Sequence, residues 1–176
     1  MSREIVIGNT APTADRFPLG TTIKAAAAYF RKVNDEGGVN GRKIKFLSYD
    51  DGYAPPKTVE QTRRLVESDN VLLVFGSLGT PTSAAVQKYL NDKQTPQLFV
   101  MSGASAFHDP RRPGAWAGRW LSVPEGAVLA KHLATRRKAK LAVLYQNDDF
   151  GRDLLAPDWD TLGGRPERLF LKPPMT

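Results

Sequence analysis

Four hydroxyl side chains, Ser77, Thr80, Thr82 and Ser83, crowd the point where the apolar run Val71-Leu72-Leu73-Val74-Phe75 breaks at Gly76. Groups of this kind hold anions. Thr80 followed by Pro81 has the form of a helix N-cap with proline at the first helical position, which leaves the amides of Thr82 and Ser83 pointing outward without helical partners. Such a terminus, lined with hydroxyl donors, suits a ligand carboxylate or phosphate. The plainer use of the same residues is a capped helix behind a solvated turn. A second small hydroxylated turn, Ser102-Gly103-Ala104-Ser105, follows the next apolar run, Pro96 to Met101. Its recurrence at the equivalent end of a strand favours a ligand-facing role for both turns.

Other chemistries fit less well. A hydrolase needs a nucleophile, a base and an orienting acid. The two histidines, His108 and His132, lie before a turn-forming Asp109-Pro110 and in the middle of a helical pattern, away from any glycine-serine elbow. Asp50 and Asp51 form a tight acidic pair, but Gly52 beside them points to turn formation rather than acid-base work. Phosphoacceptor signalling needs acids after the first strand and at the end of the third, where Asn9-Thr10 and Ser77 stand instead. A flavin-phosphate loop would have to use Thr10, Thr13, Thr21 and Thr22, in a segment long and broken by proline. No spacing of histidines or carboxylates forms a metal site, and with no cysteine in the chain there is neither thiolate chemistry nor a disulfide. The expectation is a binding protein with no catalysis, no cofactor and no metal.

The elements that would position these residues alternate regularly. Residues 4–8 read as a strand, followed by a polar loop 9–20. Ile23, Ala26, Ala27, Phe30 and Val33 recur at helical spacing from about Pro18 to Glu36, where Gly37-Gly38 stops the helix. Lys43 to Tyr49 is a partly alternating strand, and Pro56 to Ser68 a helix with Glu60 and Arg64 in i, i+4 order. The run at 71–75 is the third strand, Pro81 to Asp92 the next helix, Pro96 to Met101 the fourth strand, about Pro124 to Arg137 a helix, and Lys140 to Tyr145 a fifth strand buried on both faces. Asp148 or Asp149 caps a further helix that Pro157 should shorten. Residues 107–122 are the least regular part, with room for one short extra strand, and residues 165–171 add a last strand. Five such units predict an α/β fold with a mainly parallel sheet in the flavodoxin-like order 2-1-3-4-5, strands counted along the chain, with residues 1–164 as one lobe and 165–176 as last strand and tail. In that order the chain reverses between strands 1 and 3, and ligands bind beyond the carboxyl ends of the strands at such a reversal. The turn at Ser77 to Ser83 lies there.

The composition is compatible with this. The chain has 176 residues, 41% hydrophobic and 24% charged, with a net charge of +7. No apolar run approaches the roughly 20 residues of a membrane span. The basic run Arg136-Arg137-Lys138 with Lys140 lacks interleaved aromatics, so no nucleic-acid partner is expected. Met1 to Ile7 moves directly into a strand pattern without the form of a secretory signal.

Several segments resemble a known family. Ile5-Val6-Ile7-Gly8, Asn34 to Ile44 with its Gly37-Gly38-Val39-Asn40-Gly41-Arg42 turn, Asp50-Asp51-Gly52-Tyr53, Phe75 to Thr82 and Tyr145 to Gly151 are similar, collinearly from about residue 4 to 155, to the branched-chain amino-acid-binding proteins of ABC transporters, receptors of the type I periplasmic-binding fold. The resemblance implies a receptor that closes two lobes on a small amino-acid-like solute in the periplasm and delivers it to an ABC permease. It matches Thr80 to the hydroxyl that holds a ligand carboxylate, with Ser77 and Thr82 beside it. Gly103 and Ser105 match the turn that meets the ligand's amino group, and Phe150 matches an aromatic wall. The loop after the first strand departs from the family pattern: Leu19 replaces an aromatic contact, or Phe17 displaces it. Residues 111–123 and Pro157 also depart from it. The chain stops about where the family crosses to its second lobe, so it resembles one lobe of two. One lobe leaves a face of the ligand in water and implies weak binding. The uncovered cleft, or the strand near 167–171, could instead pair with a partner, including a second copy in a homodimer. A ligand-sensing regulatory module using the same cleft is the alternative to transport.

Overall fold

A computed structural model describes residues 4–13, 20–109, 115–117, 122–135, 142–155 and 167–171. The chain packs as two units, one made of residues 1–101 and 113–118, the other of residues 102–112 and 119–176.

The first unit is built on a parallel sheet. Its strands are β1 (Glu4–Ala11), β2 (Lys43–Asp50), β3 (Leu73–Phe75), β4 (Gln97–Val100) and β5 (Ala115–Ala117), in the order β2-β1-β3-β4-β5. The helices α1 (Gly20–Asp35), α2 (Pro55–Arg63) and α3 (Thr80–Asp92) connect them. Leu65, Val71, Val74, Val86 and Leu90 form a buried cluster where α2 and α3 meet the sheet. Ala11, Ile23 and Leu78 form another with Phe46 and Met101 against it, and Phe30 of α1 packs at a tilt on Phe46 and edgewise on Phe75. Helices therefore cover both faces, as a parallel sheet requires. Beyond α2 the chain widens into one π-helical turn, Arg64–Ser68, with the Asp69 amide donating to the Arg64 carbonyl at 3.1 Å. This turn seats the fully buried Leu65.

The flavodoxin-like order holds, but the identity of its fifth strand differs from the expectation. Ala115–Ala117, inside the irregular segment, pairs with β4 through Gln97, Leu98 and Val100 with a register shift on the way. Once that edge is filled, the apolar run expected there must pair elsewhere. It does so in the second unit, where β6 (Ala142–Gln146) pairs in parallel with β7 (Glu167–Leu171). Neither is β6 buried on both faces, since Leu144 is 62% exposed. The first strand also runs three residues further than expected, because Asn9, Thr10 and Ala11 continue the pairing with Ser48, Tyr49 and Asp50.

The second unit adds α4 (Ser122–Thr135), α5 (Asp149–Leu155) and a short 3-10 turn, Ser105–Phe107. A Cβ on Gly126 would strike the Leu154 carbonyl, so glycine lets α4 and α5 approach closely. Asp148 caps α5 as expected, accepting the Gly151 amide at 3.1 Å. Pro157, Trp120 and the basic run 136–140 lie outside the described residues.

Candidate functional site

The β1–β3 reversal point belongs to the first unit, and its carboxyl ends are lined with small polar residues. Asn9, Thr10, Ser77, Thr80, Thr82 and Ser83 are all buried. Asn9 ties two strand ends together: its side-chain amide donates to the Phe75 and Gly76 carbonyls at 2.7 and 3.0 Å, while its oxygen accepts from Ser48 Oγ at 2.9 Å. The turn after β3 is thereby anchored before α3 starts. From the other side Met101 holds it, donating its amide to the Ser77 carbonyl at 2.8 Å.

The start of α3 differs by one position from the expectation. Gly79 is the N-cap, with φ 107° and ψ 144°, and Thr80 is the first helical residue. Glycine takes the cap because positive φ is open to it, whereas threonine would be strained there. Thr82 Oγ1 then folds back, donating to the Leu78 carbonyl at 2.7 Å and the Gly79 carbonyl at 3.2 Å. The Ser83 amide, expected to be unpaired, donates to the Gly79 carbonyl at 3.2 Å as the first rung of the helix. The hydroxyls of Thr10, Ser77 and Ser83 are different: all three are buried and make no hydrogen bond. A buried hydroxyl left without a partner costs about 1–3 kcal/mol.

Asp50 and Asp51 close β2 and hold the next turn. Asp50 accepts from the Thr13 amide at 2.9 Å, the Gly52 amide at 3.2 Å and Lys57 Nζ at 3.1 Å. The Thr13 amide, above all, holds its carboxyl below the usual carboxylate range. Asp51 is fully buried and accepts from the Tyr53 amide at 2.9 Å and Thr58 Oγ1 at 3.0 Å. Burial pushes its carboxyl up despite those hydrogen bonds. Both act as turn and helix-start acceptors, as the neighbouring glycine implied.

In the second unit, Gly103 is buried and its carbonyl accepts the Ser122 amide at 2.8 Å. Ser102 Oγ accepts the Ala104 amide at 3.1 Å. Ser105, which is exposed, opens the 3-10 turn and donates twice to Asp153, from its amide at 2.6 Å and from its hydroxyl at 3.2 Å. Phe150 lines an apolar pocket of about 250 Å³ with Leu129, Val143, Tyr145 and Leu154. Phe17 and Leu19 lie outside the described residues. His132 is exposed on α4, and His108 keeps a buried Nε2 with no hydrogen bond. Sequence reasoning missed Asn9 and Asp153 as organisers. A polar residue ending an apolar strand was the available signal for Asn9, whereas Asp153 lies 48 residues from Ser105 in the chain and carries no local signal. Among the described residues no cluster of three metal-binding side chains occurs, and no helix is long and apolar enough to cross a membrane.

Comparison with known proteins identifies the family. A family model described as a periplasmic binding protein matches residues 7–158. An amino acid binding protein of Pseudomonas aeruginosa is 24% identical over 154 residues, which is 86% of this chain and 41% of that protein. A fatty acid ABC transporter substrate-binding protein from Thermomonospora curvata superposes with a TM-score of 0.80 at 24% identity, over 97% of this chain and 45% of its own. A possible leucine/isoleucine/valine-binding protein from Rhodopirellula baltica gives a TM-score of 0.76 at 23% identity, over 90% and 43%. The chain thus spans less than half the length of each of these relatives.

Proposed function

The chain belongs to the periplasmic binding protein family, and from that premise we propose that it recognises a small amino-acid-like solute, without catalysis, as the periplasmic receptor part of an ABC importer. The observation that carries this reading is the turn between β3 and α3. Unpaired buried hydroxyls at Ser77 and Ser83 flank Thr80 at the first residue of a helix, at the reversal point of a parallel sheet. Hydroxyl donors and the positive end of the helix dipole suit a carboxylate. Thr80 is the contact of choice for that carboxylate, with Ser77 next to it. Thr82 supports the turn through its own hydrogen bonds and offers lone pairs rather than its proton. Gly103 and Ser105 take the ligand's amino group, and Phe150 an apolar side chain, on the strength of the resemblance and of the apolar pocket that Phe150 lines.

Thr80→Ala is the direct test. A hydrogen bond to a charged group contributes about 1.5 kcal/mol, so the substitution is expected to weaken binding of L-leucine roughly tenfold. Because Gly79 rather than Thr80 occupies the cap position, the accompanying loss of stability should stay within about 1 kcal/mol. Titration followed by NMR, with thermal unfolding alongside, separates the two effects. Unchanged binding with lowered stability would leave Thr80 a purely structural residue. The chain by itself is expected to bind weakly, and micromolar or tighter binding to the monomer would contradict that.

A further inference from the structure

Ser105 has two donors, its amide and its hydroxyl, and the carboxylate of Asp153 receives both, one on each oxygen, at 2.6 and 3.2 Å. The Gly103 carbonyl already accepts the Ser122 amide, and the Phe107 and His108 amides are turned inward, Phe107 to the Ala104 carbonyl at 3.1 Å and His108 to the Ser105 carbonyl at 3.0 Å. What Ser105 and the Gly103 carbonyl have left to offer is therefore acceptors, the lone pairs of Ser105 Oγ and the second lone pair of the carbonyl, with the Asp153 carboxylate beside them. Without Asp153 the Ser105 amide and hydroxyl would be open donors, which suit an anion. With it the turn is acceptor-rich and negatively charged. Arg152, the nearest cation in sequence, is engaged elsewhere, with Asn147 Oδ1 at 3.2 Å and Asp149 at 3.9 Å.

We propose that Asp153 is a specificity-determining residue: by occupying both donors of Ser105, it makes this turn select ligands that carry an ammonium group over ligands that are carboxylates alone. The inference rests on the proposed function and sharpens it. The relatives include an amino acid binding protein and a fatty acid substrate-binding protein, two ligand classes that differ at the atom this turn would meet. An acidic group near a ligand ammonium in partly solvated surroundings contributes on the order of 1 kcal/mol, a factor of roughly five in affinity.

The test compares L-leucine with 4-methylpentanoate, its deaminated analogue, by NMR titration of the full chain, wild type against Asp153→Asn. Asparagine keeps an acceptor for the Ser105 amide and removes the charge. The wild type is expected to prefer leucine, and Asp153→Asn to reduce that preference roughly fivefold, mainly by weakening leucine. Hydrogen exchange at the Ser105 amide, protected in the wild type and fast in Asp153→Ala, reports the clasp without any ligand. A leucine preference unchanged in Asp153→Asn overturns the inference alone, as does equal binding of both ligands to the wild type, which leaves the carboxylate grip standing. Failure of the wild type to bind either ligand overturns the proposed function and this inference with it.

Discussion

Replacing Gly79 by alanine is expected to lower stability by about 3 kcal/mol and to abolish measurable solute binding together with it. Two effects add. At φ 107° and ψ 144° a side-chain-bearing residue is strained by about 1–3 kcal/mol. The new Cβ would also lie 2.5 Å from a Tyr53 ring carbon and 2.6 Å from Thr82 Oγ1, inside any tolerable contact, so the ring or the hydroxyl must move. The hydroxyl in question is the one that donates to the Leu78 and Gly79 carbonyls, and its displacement would disorder the first turn of α3, where the ligand's carboxylate is proposed to sit. For a chain of this size 3 kcal/mol corresponds to a fall in Tm of roughly 6–12 °C. A Gly79→Ala variant that melts within a degree of the wild type would mean that the turn relaxes to another conformation, and the geometric case for Thr80 would fall with it.

The second large effect is expected at Asp51. Asp51→Ala removes the acceptor of the Tyr53 amide and one of the two acceptors of the Thr58 hydroxyl in a fully buried place, a loss of about 2 kcal/mol. Asp51→Asn should behave quite differently. The amide oxygen can accept from Tyr53, and Thr58 Oγ1, which also donates to the Ala54 carbonyl at 3.0 Å, can accept from the new amide group. The pH dependence follows from the direction of each shift. Burial raises the Asp51 carboxyl in the folded state, so the fold binds that proton more tightly than the unfolded chain does. Its contribution is fully present below the unfolded value near 3.9 and is lost as pH rises through the folded one. Asp50 runs the other way: held down chiefly by the Thr13 amide, it contributes above its ordinary value and loses that contribution as pH falls. Urea unfolding between about pH 3 and 7 should therefore show Asp51→Asn gaining on the wild type as pH rises and Asp50→Asn losing. Parallel curves for Asp51→Asn and wild type would show that the buried carboxyl pays no desolvation.

Much of the first unit was legible because its signals are local. Glycine pairs end α1, prolines open α2 and α3, and apolar runs mark β1, β3 and β4, so the alternation fixed the class and the reversal point located the turn. The misread parts are those decided by competition rather than by pattern. Ala115–Ala117 is only three residues long, yet it takes the edge of β4, and the longer apolar run at 142–146 pairs with 167–171 instead. Gly79 displaced Thr80 from the cap because backbone freedom outweighed side-chain preference, a choice visible only once the approach of Tyr53 is known. The Ser105–Asp153 clasp joins residues that no periodicity relates.

The lacing of the sheet is uneven in a way that bears on binding. β1 runs beside β2 over eight paired positions, but β3 touches β1 at only two, Ile7 with Leu73 and Gly8 with Val74, and meets β4 at two more. The turn proposed to hold the solute therefore follows a strand of only three residues, a short element whose local opening a bound solute would oppose. Where a ligand binds only the closed form, occupancy and local folding become one equilibrium, and each increase in ligand concentration raises the free energy of opening. Receptor and solute would in that sense complete a common structure, with the solute acting as the missing stitch at β3.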